Sequence, residues 1–216
     1  MNDATDHRFD AAEVGAVDHV MSTARATRSF LDEPVDRALL SDIVEAATWA
    51  PSPRNTQPWE FVVVDDPAPR GAIGALLEPR AAEVDAAAER LSDPAQRKMY
   101  HGASALIRSI GTAPAVVFVC GRATEYGREF PAEEMVLSAV YTASQNLLLA
   151  ARARCLGAAF TTLHLHAEEG IRDVLGLSDG VSVAVTIPVG WPTTTFKPLR
   201  RRPVSDVLHW NRFADS

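Results

Sequence analysis

Pro51-Ser52-Pro53-Arg54-Asn55-Thr56-Gln57-Pro58-Trp59 runs directly towards Phe61-Val62-Val63-Val64. The prolines stiffen the backbone, while Ser52, Asn55 and Gln57 supply donors and acceptors from a short loop. The apolar run that follows is rich in β-branched residues and bounded by Pro58 and by Asp65-Asp66-Pro67, so residues 60–64 read as a strand. Upstream, Leu39, Leu40, Ile43, Val44, Ala47 and Ala50 recur at three- and four-residue steps with Asp36 near the start, which predicts a helix over 36–50 stopped by Pro51. A polar loop between a helix and a strand is either a capping turn or a wall for a planar ligand with many acceptors. On the loop alone the two readings weigh equally.

Outward from this junction the chain alternates helical and strand patterns. Further helices are predicted over 14–23, 69–91 and 95–110, the last two separated by Ser92-Asp93-Pro94, then over 132–154 and over 168–175, closed by Gly176. Strands are predicted over 115–120, a continuous apolar run fit to be buried on both faces, over 157–163, and over 181–189 before Gly190-Trp191-Pro192. No solenoid-like repeat is present. Residues 1–13 read as a polar tail and 14–216 as one domain. The last stretch, 193–216, is polar and proline-bearing but carries Val204, Val207, Leu208, Trp210 and Phe213, the anchors of an arm packed on another surface.

With 216 residues, 47% hydrophobic and 23% charged, the chain has the composition of a folded protein with a real core. A net charge of -7 and a pI near 5.4 argue against nonspecific nucleic-acid binding. Cys120 and Cys155 sit in apolar sequence, where buried thiols are expected and no disulfide framework can form. The polar, acidic start and the lack of a long apolar run disfavour export and membrane insertion, so the expected location is cytoplasmic.

Two basic clusters stand out against the acidic background: Arg25 with Arg28, and Arg200-Arg201-Arg202. Either can neutralise a phosphate through charge-assisted hydrogen bonds, although each alone is commonly solvated surface. His164 and His166 would point to one side of the expected strand, but no third ligand accompanies them, so no metal site is expected. No Ser-His-Asp or Cys-His constellation is present, and no catalytic side chain is assigned.

Taken together, Arg25-x-x-Arg28-x-Phe30, then Ala50-Pro51-Ser52-x-x-Asn55-x-Gln57-Pro58-Trp59, resemble the FMN-dependent nitroreductase family. The Gln145-Asn146-Leu147-Leu148-Leu149-Ala150-Ala151 helix, Leu156-Gly157, and Pro188-Val189-Gly190-Trp191-Pro192 followed by the arginine run extend the resemblance over nearly the whole chain. It implies an α+β fold: a three-layer α/β/α sandwich with a central, mostly antiparallel sheet and a C-terminal arm exchanged in a homodimer. It also implies FMN as cofactor, NADH or NADPH as reductant and a small electron-poor acceptor such as a nitroaromatic or quinone. By position, Arg25, Ala26 and Arg28 would hold the FMN phosphate and ribityl chain, with Arg200 and Arg201 as a second clamp. Pro51, Ser52, Asn55 and Gln57 would meet the ring, and Thr161, Thr162, Leu163 and His164 would lie against it.

The chain also departs from the family pattern. Many relatives carry two adjacent basic residues and then Ser where this chain has Ala24-Arg25-Ala26, a loss that Arg200 or Arg202 would offset. Arg54 stands where relatives have small residues near the substrate, which points to an anionic or electron-rich acceptor. The same fold also hosts reductive dehalogenases and a flavin-fragmenting enzyme. The Glu-Tyr-Lys lid of the dehalogenases finds no counterpart between Pro69 and Gly111. A non-catalytic FMN-binding or redox-sensing protein is the alternative from another class.

Overall fold

The computed structural model describes residues 9–124 and 132–213. Most of the expected polar tail, residues 1–8, lies outside the described residues. Helix α1 (Ala11–Thr23) starts within the remainder of that tail, where Asp10 accepts from the Ala12 and Glu13 N–H groups and Glu13 bonds back to the Asp10 N–H. This reciprocal capping box is why the helix begins before the apolar pattern does.

The remaining helices are α2 (Arg37–Thr48), α3 (Pro67–Ala88), α4 (Pro94–Thr112), α5 (Ala132–Ala153) and α6 (Glu168–Leu175). Asp36, Asp66 and Asp93 cap α2, α3 and α4 with their carboxylates, and proline opens α3 and α4, where a missing N–H costs nothing. Gly176 ends α6 in the left-handed conformation at φ 62°.

Strands β1 (Trp59–Val64), β2 (Ala115–Arg122), β3 (Gly157–Ala158) and β4 (Val181–Gly190) form a sheet in the order β1-β2-β4-β3, each pair antiparallel. Seven of the eight residues of β2 are buried, as a strand covered on both faces requires. One face meets α2 and α5 through Ile43, Ala47, Val117, Val140, Leu147 and Ile187. The other meets α3, α4 and α6 through Ile73, Leu77, Ile110, Phe118 and Ile171. The two long helices α3 and α4, which span most of residues 69–111, therefore form a layer packed on the sheet.

Two sequence expectations need correction. The strand predicted over 157–163 is paired in the sheet only at Gly157 and Ala158; Thr161 makes an isolated bridge to Thr186, and Leu163–His166 forms a 3-10 turn. His164 and His166 therefore do not share a strand face: His164 is buried and His166 exposed. Cys155 is exposed rather than buried, because it occupies the left-handed turn residue between α5 and β3 at φ 61°. Cys120 lies in the core, where burial pushes its thiol up to about 12.

Candidate functional site

Arg25, Ala26 and Arg28 lie in the connection leaving α1, while Arg200 and Arg201 belong to the C-terminal segment. The fold brings them together around a cavity of about 1000 Å³, also lined by Lys197. Among the described residues no carboxylate lines this cavity, and the side chains of Arg25, Arg28, Lys197 and Arg200 make no hydrogen bond or ion pair. Arg202 does not line the cavity. Lys197 was not singled out in the sequence, and its only signal there was its closeness to the arginine run.

Glycines make the cradle possible. The Thr27 N–H donates to the Ala158 carbonyl at 3.0 Å, and Ala26 bridges Ala158 in parallel. A Cβ on Gly157 would stand 2.6 Å from the Thr27 side chain, so only glycine lets the 25–28 segment lie against β3. At the next contact Leu31 N–H donates to the Trp191 carbonyl at 2.8 Å. A Cβ on Gly190 would meet Pro114 at 2.6 Å and the Phe30 ring at 3.0 Å. Two sequence motifs, Leu156-Gly157 and Val189-Gly190-Trp191, thus serve one segment.

The 51–57 loop is built differently. Arg54, Asn55 and Gln57 have φ values of 54°, 54° and 48°, in the region that L-residues usually avoid. Ser52 Oγ accepts from the Gln57 N–H at 3.0 Å, Thr56 Oγ1 donates to the Pro53 carbonyl at 2.9 Å, and Thr142 Oγ1 of α5 reaches the Pro51 carbonyl at 3.4 Å. Ser52 keeps its hydroxyl proton for an outside acceptor. Arg54, Asn55 and Gln57 are exposed, and none of the loop residues lines the cationic cavity.

Within 161–164 the four residues separate into braces and contacts. Thr161 is buried and donates both its N–H and its hydroxyl to the Thr186 carbonyl, at 3.1 and 2.8 Å. His164 is 2% exposed, with Nδ1 3.1 Å from Thr186 Oγ1. Desolvation lowers its pKa against the opposing pull of Glu168, which favours the neutral ring. Leu163 packs into the core, whereas Thr162 is exposed. Thr162 also borders a second cavity, of about 1260 Å³, with Tyr141, Glu133 and Glu168. Among the described residues neither Lys nor Arg lines that cavity.

The three-layer sandwich thus carries an open cationic cradle and, separate from it, a polar loop with three left-handed residues. Residues 21–191 match the nitroreductase family model, and the chain belongs to the nitroreductase family. It is 31% identical over 159 residues, 72% of either chain, to 5,6-dimethylbenzimidazole synthase of Rhodospirillum rubrum. Its fold matches an FMN- and NADPH-dependent nitroreductase of Sphigopyxis sp. strain HMH with a TM-score of 0.71 at 20% identity, covering 91% of this chain and 99% of that one. It also matches iodotyrosine deiodinase bound to FMN and 3-iodo-L-tyrosine with a TM-score of 0.72 at 21% identity, covering 91% of this chain and 100% of that one.

Proposed function

We propose that the protein is an FMN-dependent oxidoreductase that uses NADH or NADPH to reduce a small electron-poor acceptor. The observation that carries this reading is the cavity in which Arg25, Arg28, Lys197, Arg200 and Arg201 converge, with no carboxylate among its described lining residues. Such a set suits the phosphate dianion of FMN, because charge-assisted hydrogen bonds to a partly enclosed anion are the strong ones. When bound, FMN supplies the redox chemistry, accepting hydride at N5 from the nicotinamide and passing reducing equivalents to a nitroaromatic, quinone or similar acceptor.

The chain's own task is to bind and orient. Arginines hold the phosphate end, and the Thr162 hydroxyl and backbone face the ring. The Ser52 hydroxyl, Asn55 and Gln57 supply donors for the polar ring edge, where they favour negative charge. Pro51 fixes the entry to that loop. Because the loop does not line the cationic cavity, we assign the two walls to different protomers of a homodimer. The exposed Val204, Val207, Leu208, Trp210 and Phe213 of the C-terminal arm support that assembly, as do Val14, Val17 and Met21 on α1. Dilution below the dimer dissociation constant releases FMN on this reading; a monomer that retains FMN excludes it.

Anaerobic stopped-flow mixing of the FMN-loaded protein with each nicotinamide, followed by an acceptor panel, tests the activity. Rapid flavin bleaching and reoxidation by an acceptor are expected. A flavin that dithionite bleaches but neither nicotinamide does would overturn the reading. That outcome would favour the second reading, flavin fragmentation, to which the 31% identity with 5,6-dimethylbenzimidazole synthase points. Arg54→Ala tests substrate choice: it should raise KM for anionic acceptors while leaving neutral ones unchanged, and no change for any acceptor removes Arg54 from that role.

A further inference from the structure

Arg152, near the C-terminal end of α5, touches both chain segments that form the cationic cradle without lining the cavity itself. Its Nε donates to Thr23 Oγ1 at 2.9 Å, and Thr23 lies two residues before Arg25. Its guanidinium stacks 4.0 Å from the centre of the Phe196 ring, and Phe196 immediately precedes Lys197. A second nitrogen lies 3.2 Å from His19 Nε2. Since arginine can only donate, His19 accepts there and carries its proton on Nδ1. Thr23 is 4% exposed and donates its own hydroxyl proton to the His19 carbonyl, so the acceptor that Arg152 uses is fixed in orientation. Just beyond, the Leu199 N–H donates to the Ser22 carbonyl at 2.8 Å, closing the same junction through the backbone.

We propose that Arg152 is a positioning residue for the phosphate cradle, a side chain that locks the Arg25 segment and the Lys197-to-Arg201 segment into register. The inference rests on the reading of that cavity as the FMN phosphate site. The cradle's cations are exposed and repel one another, so in the absence of ligand their convergence needs an outside restraint. Arg152 provides one by directional bonds to α1 and by placing its guanidinium carbon over the Phe196 ring. An ammonium group reproduces the charge but not this fork-and-plane geometry.

The test is fluorescence titration of the full chain, stripped of flavin, with FMN and with riboflavin, which lacks the phosphate. Arg152→Lys and Phe196→Leu should each weaken FMN binding about tenfold, the scale of one charge-assisted hydrogen bond, while riboflavin affinity stays within about twofold. Unchanged FMN affinity in both variants overturns the positioning role. Equal losses for FMN and riboflavin also overturn it, marking Arg152 as a general structural support. A wild-type protein that binds riboflavin as tightly as FMN refutes the phosphate-cradle reading itself, and this inference with it. Sharper salt dependence of FMN affinity in Arg152→Lys than in wild type would support a cradle whose cations have lost their fixed spacing.

Discussion

The 51–57 loop and the cationic cradle reach rigidity by opposite routes. The loop is stiffened from within: its prolines, three left-handed residues and the Ser52 and Thr56 hydroxyls bond it to itself. The cradle has almost no internal bonds. Its two halves come from distant parts of the sequence and are held by what lies behind them, namely Gly157, Gly190, Thr23 and Arg152. A wall that satisfies itself tolerates changes nearby, whereas a wall assembled from outside fails when any support moves.

The largest effect that separates the two walls should come from charge. The Arg25→Ala/Arg201→Ala double substitution should lower FMN affinity by about a hundredfold or more, given about 1.5–3 kcal/mol for each hydrogen bond to a charged group. Riboflavin affinity should barely move, and paired fluorescence titrations read both.

Next, Gly157→Ala forces a methyl group into the Thr27 side chain and pushes the 25–28 segment off β3. Overpacking of this kind costs about 1–3 kcal/mol, visible as a lower urea midpoint together with weaker FMN binding. Ser52→Ala should do less. It removes the acceptor of the Gln57 N–H from an exposed loop, a loss of about 1 kcal/mol or below, and its signature is a change in the bound-flavin spectrum more than in the unfolding midpoint.

The smallest effect tests a region belonging to neither wall. Asp85 on α3 is held down to about 2 by the Ser104 hydroxyl first, then by Arg108 and His101 across the α3–α4 pair. Its contribution is complete above the ordinary carboxylate value of 3.8 and is lost as pH falls through about 2. Acid unfolding should therefore lose part of its slope in this range in Asp85→Asn, with FMN affinity at neutral pH unchanged.

The helices and the three longer strands were legible because their residues repeat with helical or strand periodicity over many positions. β3 was not, since Gly157 to Leu163 has the composition of a strand while Thr161 and His164 turn the chain inward to satisfy Thr186. Arg25, Arg28, Arg200 and Arg201 were readable as two clusters, and the resemblance joined them. Lys197 escaped notice because a lone lysine carries no pattern. Arg152 escaped because its importance lies in whom it touches, two segments far from it in the chain. The left-handed conformation of Arg54 and Gln57 was equally invisible, as no glycine announces it.

The two cysteines have sharply different accessibility. Cys120 is sealed in the core with its thiol held protonated, while Cys155 projects from the turn three residues beyond Arg152. A maleimide dye should therefore report from a single address per folded chain, beside the junction that sets the cradle, without any engineered attachment point.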